Sequence, residues 1–277
     1  MDKDRKLEWL ARSGYAARGI VYVLIAGMAS LSTLGGGEPD SKSALQIVLE
    51  QPFGQIWLGM IGMGLVGFVL WRVAQSILNT DRHQHNAKGY LVRAGLLVSA
   101  ATYAGLAFYA IGQALHLGFG AGSSSARESW TAWLMQQPFG RYLVAGVALA
   151  IIGAGGAQAA KGVKRGYLRF FESGFEQRAV LNGICTYGLL ARGVIFLIIG
   201  GFFIYAAFAV DPNQAGGLAD ALAWVRQLPF GAILYGMAAI GLFAFGLYGL
   251  IEARYRIVQP PSTDRPLRAM RSVVNWN

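Results

Sequence analysis

The tripeptide Pro-Phe-Gly occurs three times, as Pro52-Phe53-Gly54, Pro138-Phe139-Gly140 and Pro229-Phe230-Gly231, spaced by 86 and 91 residues. Each copy follows a short amphipathic stretch and precedes a long apolar run, and another apolar run opens each unit. A fixed period of this kind decides architecture before any local reading does. It predicts an all-α integral membrane protein of six transmembrane helices. The helices form three tandem two-helix repeats with pseudo-threefold symmetry, each carrying a short outer amphipathic helix. The expected divisions are repeat 1 over 1–80, repeat 2 over 81–165, repeat 3 over 166–258 and a cytoplasmic tail over 259–277.

The apolar runs read Gly19–Leu34, Gln55–Leu78, Ala94–Leu115, Tyr142–Ala160, Gly193–Val210 and Ala232–Ile251. A helix crossing a bilayer needs about 20 mostly apolar residues. The first and fifth runs are short of that, so their helices should extend past Arg18 and Arg192. With 55% hydrophobic and only 14% charged residues, the chain has too little polar surface to cover six such helices in water. The net charge of +10 is not spread like a nucleic-acid footprint. Twenty of the 24 Lys/Arg lie before span 1, between spans 2 and 3, between spans 4 and 5, or after span 6. Positive loops stay inside. Both termini are therefore expected to be cytoplasmic, with the Pro-Phe-Gly turns facing outward.

Helical spacing marks the outer segments. Leu45, Val48 and Leu49 share a face, as do Trp130, Trp133 and Leu134, and Leu218, Ala221, Leu222 and Val225. These helices are expected to lie in the outer interface, apolar face down. Pro-Phe-Gly then reads as a structural corner: Pro stops the surface helix and opens the next, Phe anchors at the interface, and Gly permits a close approach. Gly35-Gly36-Gly37 with Pro39 and Asp40 ends span 1. Glycines in the even spans read as helix packing. Trp57, Trp130, Trp133 and Trp224 should mark the outer interface, and Trp9, Trp71 and Trp276 the inner one. The stretch 161–177 mixes Lys164, Arg165 and Arg169 with Tyr167, Phe170, Phe171 and Phe175, a basic amphipathic pattern suited to an anionic leaflet.

The odd-span starts align without gaps. Gly14, Gly95 and Gly188 coincide; Arg18-Gly19 matches Arg192-Gly193, with Ser99-Ala100 in repeat 2; Tyr22, Tyr103 and Phe196 follow. Arg-Gly opening the odd helices and Pro-Phe-Gly opening the even ones resembles a bacterial membrane family known as domain of unknown function 1206. The resemblance covers nearly the whole chain, and repeat 2 departs from it by losing Arg-Gly. It implies a three-repeat, six-span membrane protein and carries over no catalytic residues.

Arg18, Ser99, Arg192 and Glu252 are the candidate residues of an inner vestibule. Ionised groups within a span cost roughly 2.5–3.5 kcal/mol at its centre on insertion scales. The plainer reading of the two arginines is anchoring by snorkelling. The functional one is a ring that receives anions or lipid phosphates. Glu252 aligns with Gln75 and Lys161 in the Pro-Phe-Gly register, and reads as a solvated helix end or as part of an asymmetric salt-bridge gate. Asp81, His83 and His85 form a weak metal pattern. His116 falls on the other side, Ser123, Ser124 and Ser125 lack a triad, and the lone Cys185 reads as a packing residue. No metal, cofactor or enzymatic chemistry is expected. The expected partners are membrane lipids, with a small anionic solute or a partner membrane protein, and no nucleic acid. The readings left open are a channel or transporter for a small solute or ion, and a non-catalytic scaffold binding lipid or a membrane protein.

Overall fold

A computed structural model describes residues 3–32, 41–81, 86–117, 131–211 and 214–258. The chain is helical throughout these residues: α1 (Lys3–Ser32), α2 (Ser41–Leu49), α3 (Gly54–Leu78), α4 (Ala87–Ala114), α5 (131–135), α6 (Gly140–Val163), α7 (Ala179–Ala209), α8 (Leu218–Gln227) and α9 (Gly231–Tyr255). The described residues hold no β-strand, only one isolated bridge between Phe171 and Arg256. Helices suit an apolar solvent because each satisfies its own backbone groups.

Five of these, α3, α4, α6, α7 and α9, are long and apolar enough to cross a membrane. α1 is not among the five, although it runs for 30 residues. Its first half is charged, and the end of the apolar run at 33–34 lies outside the described residues. α1 and α7 do begin well before Arg18 and Arg192, so neither helix starts at its Arg-Gly pair.

The helices pack in a row: α4 on α3, α3 on α1, α1 on α9, α9 on α7 and α7 on α6. Neighbours run antiparallel, which brings the starts of α3, α6 and α9 to one end. Glycines set two recurring contacts. A Cβ on Gly14 would come within 2.5 Å of the Phe68 backbone, and one on Gly188 within 2.5 Å of the Phe245 backbone; these join the two helices of repeats 1 and 3. Gly19 against Gly246 O, 2.7 Å from its Cβ position, joins α1 to α9, and Gly193 against Gly155 O, 2.9 Å, joins α7 to α6. Small residues let membrane helices approach this closely. In repeat 2, Gly95 would meet nothing within 4 Å, and no extended packing joins α4 to α6 among the described residues. Gly146, Gly153 and Gly156 of α6 are equally unopposed, so not every span glycine packs helices.

The Pro-Phe-Gly corners are alike in detail. Gly54 N–H donates to Gln51 O, Gly140 to Gln137 O and Gly231 to Leu228 O, at 2.8, 2.8 and 2.7 Å. The Phe at the third position is left-handed each time, with φ of 59, 61 and 59°. Pro at the second position and a left-handed third position is the pattern of a type II turn, where Gly or Asn is usual. The long helix begins at Gly rather than Pro, which corrects the expected role of Pro. Gly is required because a Cβ there would overlap Leu49 O, Met135 O or Arg226 O of the preceding short helix, not a neighbouring span. The Phe rings are 77–80% exposed.

Other expectations are corrected by packing. Ala44, Leu45 and Val48 of α2, and Ala221, Leu222 and Val225 of α8, are buried against the long helices, so their apolar faces serve the protein's own core. Trp133 is exposed and not part of such a face. Tyr167, Phe171 and Phe175 of the basic connection bury themselves with Phe245 and Tyr248, leaving Lys164, Arg165 and Arg169 outside. Trp71 is fully enclosed, its indole N–H donating to Tyr15 Oη at 2.9 Å. The Gly35–Gly37 stop, His83, His85, Ser123–Ser125, Trp130, Trp276 and the tail lie outside the described residues.

Candidate functional site

Arg18 and Glu252 meet toward the bundle end opposite the Pro-Phe-Gly corners, and Arg192 shares the Phe245 ring with Arg18. Arg18 is buried within an aromatic cage, its guanidinium carbon 5.2–5.9 Å from the ring centres of Tyr15, Phe68, Phe245 and Tyr248. It donates to Glu252 Oε2 at 2.6 Å. Glu252, 2% exposed, accepts at its other oxygen from Tyr248 Oη at 2.8 Å and from Arg256 at 2.9 Å. Arg18 is therefore no snorkelling anchor and Glu252 no solvated helix end. Both are held inside because α9 lies against α1 through Gly19, Gly246 and Gly249, with no side chain to spread the helices.

The network runs further than Glu252. Arg256 reaches both oxygens of Asp81 at 3.2 Å; Asp81 accepts from Gln75 at 2.9 Å; Gln75 accepts from Arg72 at 3.2 Å. Lys161 donates to Tyr248 Oη at 2.8 Å. So Gln75, Lys161 and Glu252, aligned by the repeat, do meet in one polar layer. Arg72, Arg256, Asp81, Tyr248 and Tyr15 complete it, and sequence reasoning missed them as a group. The i,i+4 spacing of Tyr248, Glu252 and Arg256 was the available signal. The layer holds four cations and two carboxylates; the Nε groups of Arg18, Arg72 and Arg256 find no acceptor, and the guanidinium carbons of these residues lie over aromatic rings.

Arg192 occupies a different setting. It is half-buried, donates to Tyr22 Oη at 3.0 Å and Gln158 Oε1 at 2.6 Å, and lies over Tyr22, Phe196 and Phe245. Arg18 and Arg192 thus share the Phe245 ring, 5.2 and 4.6 Å from its centre. Tyr103 of α4 stands within electrostatic range of Tyr22, Arg192 and Arg18. Ser99, one turn before Tyr103, is half-buried. Among the described residues no carboxylate lies within ion-pairing distance of Arg192 or Lys161.

Away from this layer, Cys185 is buried and free. His116 is exposed beside Gln55 Nε2 at 3.3 Å. No cluster of metal-ligating side chains occurs among the described residues.

The sequence profile of the family described as Domain of Unknown Function (DUF1206) matches residues 13–79, 94–165 and 187–256, one segment per repeat. The chain belongs to the DUF1206 family. An uncharacterized protein of Bacillus subtilis (strain 168), YxxB, is 32% identical over 262 residues, covering 92% of this chain and 94% of that relative. No solved structure matches the chain. Within this DUF1206 protein the matched segments contain Arg18, Arg192 and Glu252, together with all three Pro-Phe-Gly corners.

Proposed function

We propose that this DUF1206 protein is a six-span protein of the bacterial inner membrane that conducts a small anion without catalysing a reaction. α1 serves as the sixth span, and both termini face the cytoplasm. The Lys/Arg asymmetry supports that orientation. The matching contacts made by the equivalent Gly14 and Gly188, and by the equivalent Gly19 and Gly193, support a pseudo-threefold arrangement of the repeats. The observation that carries the functional reading is the pair of guanidiniums from repeats 1 and 3 flanking Phe245, with Tyr103 of repeat 2 in range of both. Buried intramembrane charges of this kind mark ion pathways. Arg18 is latched by Glu252, and we read the structure as the closed state of such a path.

Uptake of chloride and of inorganic phosphate into proteoliposomes tests this. Flux should exceed that of protein-free vesicles, fall at least about tenfold in Arg192→Gln, and rise in Glu252→Gln, which frees Arg18. No flux of either anion, or equal flux in wild type and both variants, would refute it.

A further inference from the structure

We propose that the open side between α4 and α6 is a binding site for one anionic phospholipid, its phosphate on Arg192 and an acyl chain between the two helices. The inference does not depend on the conduction reading.

The opening is written into repeat 2. In repeat 1, a Cβ on Gly64 would lie 2.6 Å from Ala17 Cβ, and in repeat 3 a Cβ on Gly241 would overlap Ala191. These matched Ala–Gly pairs let the two helices of each repeat touch. The equivalent pair in repeat 2 is Val98 and Ala150, both exposed. Their extra carbons prevent α4 and α6 from approaching as α1 and α3 do. Elsewhere along the same face repeat 2 is stripped. Phe68 and Trp71 of α3, and Phe245 and Tyr248 of α9, correspond to Ala154 and Ala157 of α6, which are exposed. A wedge at one point and missing rings beside it leave a membrane-facing slot rather than a hairpin seam.

The charge pattern selects what fills it. α1 meets α9, and the even-helix position opposite Arg18 carries Glu252. α7 meets α6, where the equivalent position carries Lys161, a second cation. Arg192 therefore has a neutral Gln158 on the α6 wall, and Tyr103 on the α4 wall, but no carboxylate among the described residues. A cation in a membrane bundle ordinarily finds a counter-charge. Here the missing partner is an anion, and arginine suits a phosphate because its planar fork donates two parallel hydrogen bonds. From residue 158 to residue 150 is eight helical residues, about 12 Å. The slot therefore extends from the cationic end toward mid-span, over the length of half an acyl chain, and a free phosphate would leave that apolar stretch unfilled.

The full chain in nanodiscs of equimolar phosphatidylglycerol and phosphatidylcholine, released for native mass spectrometry, tests the site. Wild type should retain one phosphatidylglycerol at least about tenfold over phosphatidylcholine, undiminished by millimolar inorganic phosphate. Arg192→Gln should lose that preference. Gly153→Leu, which fills the slot where nothing lies within 4 Å and leaves the charges in place, should lower retention while the protein stays folded. Equal retention of the two lipids, a preference that survives Arg192→Gln, or displacement by inorganic phosphate would overturn the proposal. So would a dimer that Gly153→Leu dissociates, because a second copy would then fill the slot.

Discussion

Replacing Glu252 by Gln is the sharpest perturbation of this bundle. The carboxylate accepts from Arg18, Tyr248 and Arg256 within 2.6–2.9 Å, and both arginines are only 4% exposed. Gln keeps the shape and one acceptor but removes the charge. Two guanidiniums then face each other across a neutral amide, with Asp81 left as partner of Arg256 alone. Removing one member of a buried ion pair typically costs about 3–5 kcal/mol, most of it from the charge left without a partner. At about 2–4 °C per kcal/mol for a chain of this size, the midpoint of thermal unfolding in detergent should fall by roughly 10 °C. Trp71 reports on it, since its indole sits in the same layer, hydrogen-bonded to Tyr15. Arg18→Gln alone should cost a similar amount. The double variant should be less stable than wild type by clearly less than the sum of the two, because each single change strands the other charge. A shift under about 2 °C for Glu252→Gln, or strict additivity in the cycle, would show that the pair is not buried and coupled as described.

The corners and the glycine contacts give further outcomes. Gly54→Ala, Gly140→Ala or Gly231→Ala forces a Cβ onto a backbone carbonyl and should abolish accumulation of folded protein, read by size exclusion in detergent. Gly153→Ala, facing open space, should be neutral or stabilising by up to about 1 kcal/mol, seen as an unchanged or raised midpoint. Gly64→Ala should lower the midpoint by several degrees, because α1 must move away from α3 to admit the new carbon. Phe53→Asn should leave stability in detergent within about 1 kcal/mol, since the ring is 77% exposed and Asn tolerates the left-handed backbone.

The same residues show how far the sequence could be read. Alignment matched Gly14, Gly95 and Gly188, and the structure makes the first and last of them close contacts with the even helix of the same repeat. The alignment could not tell that Gly95 faces nothing, because that depends on how α4 packs, which spacing along the chain does not record. The amphipathic faces of α2 and α8 were legible from spacing. What covers them was not, since periodicity identifies an apolar face without saying whether lipid or protein lies against it. Asp81 read as a weak metal ligand when considered beside His83, and became an acceptor for Arg256 only once the end of α9 reached it.

By itself the sequence determined the helical repeats, the corners and the asymmetry of charge, because apolar run length, the stereochemistry of Pro and Gly and the sign of loop residues act locally along the chain. Only the tertiary structure decided the fate of the two equivalent arginines. Each odd helix packs against an even helix from a different repeat, so the partner at the matched level is Glu252 for Arg18 and Lys161 for Arg192. One arginine is thereby neutralised in a buried aromatic cage and the other, among the described residues, left without a counter-charge.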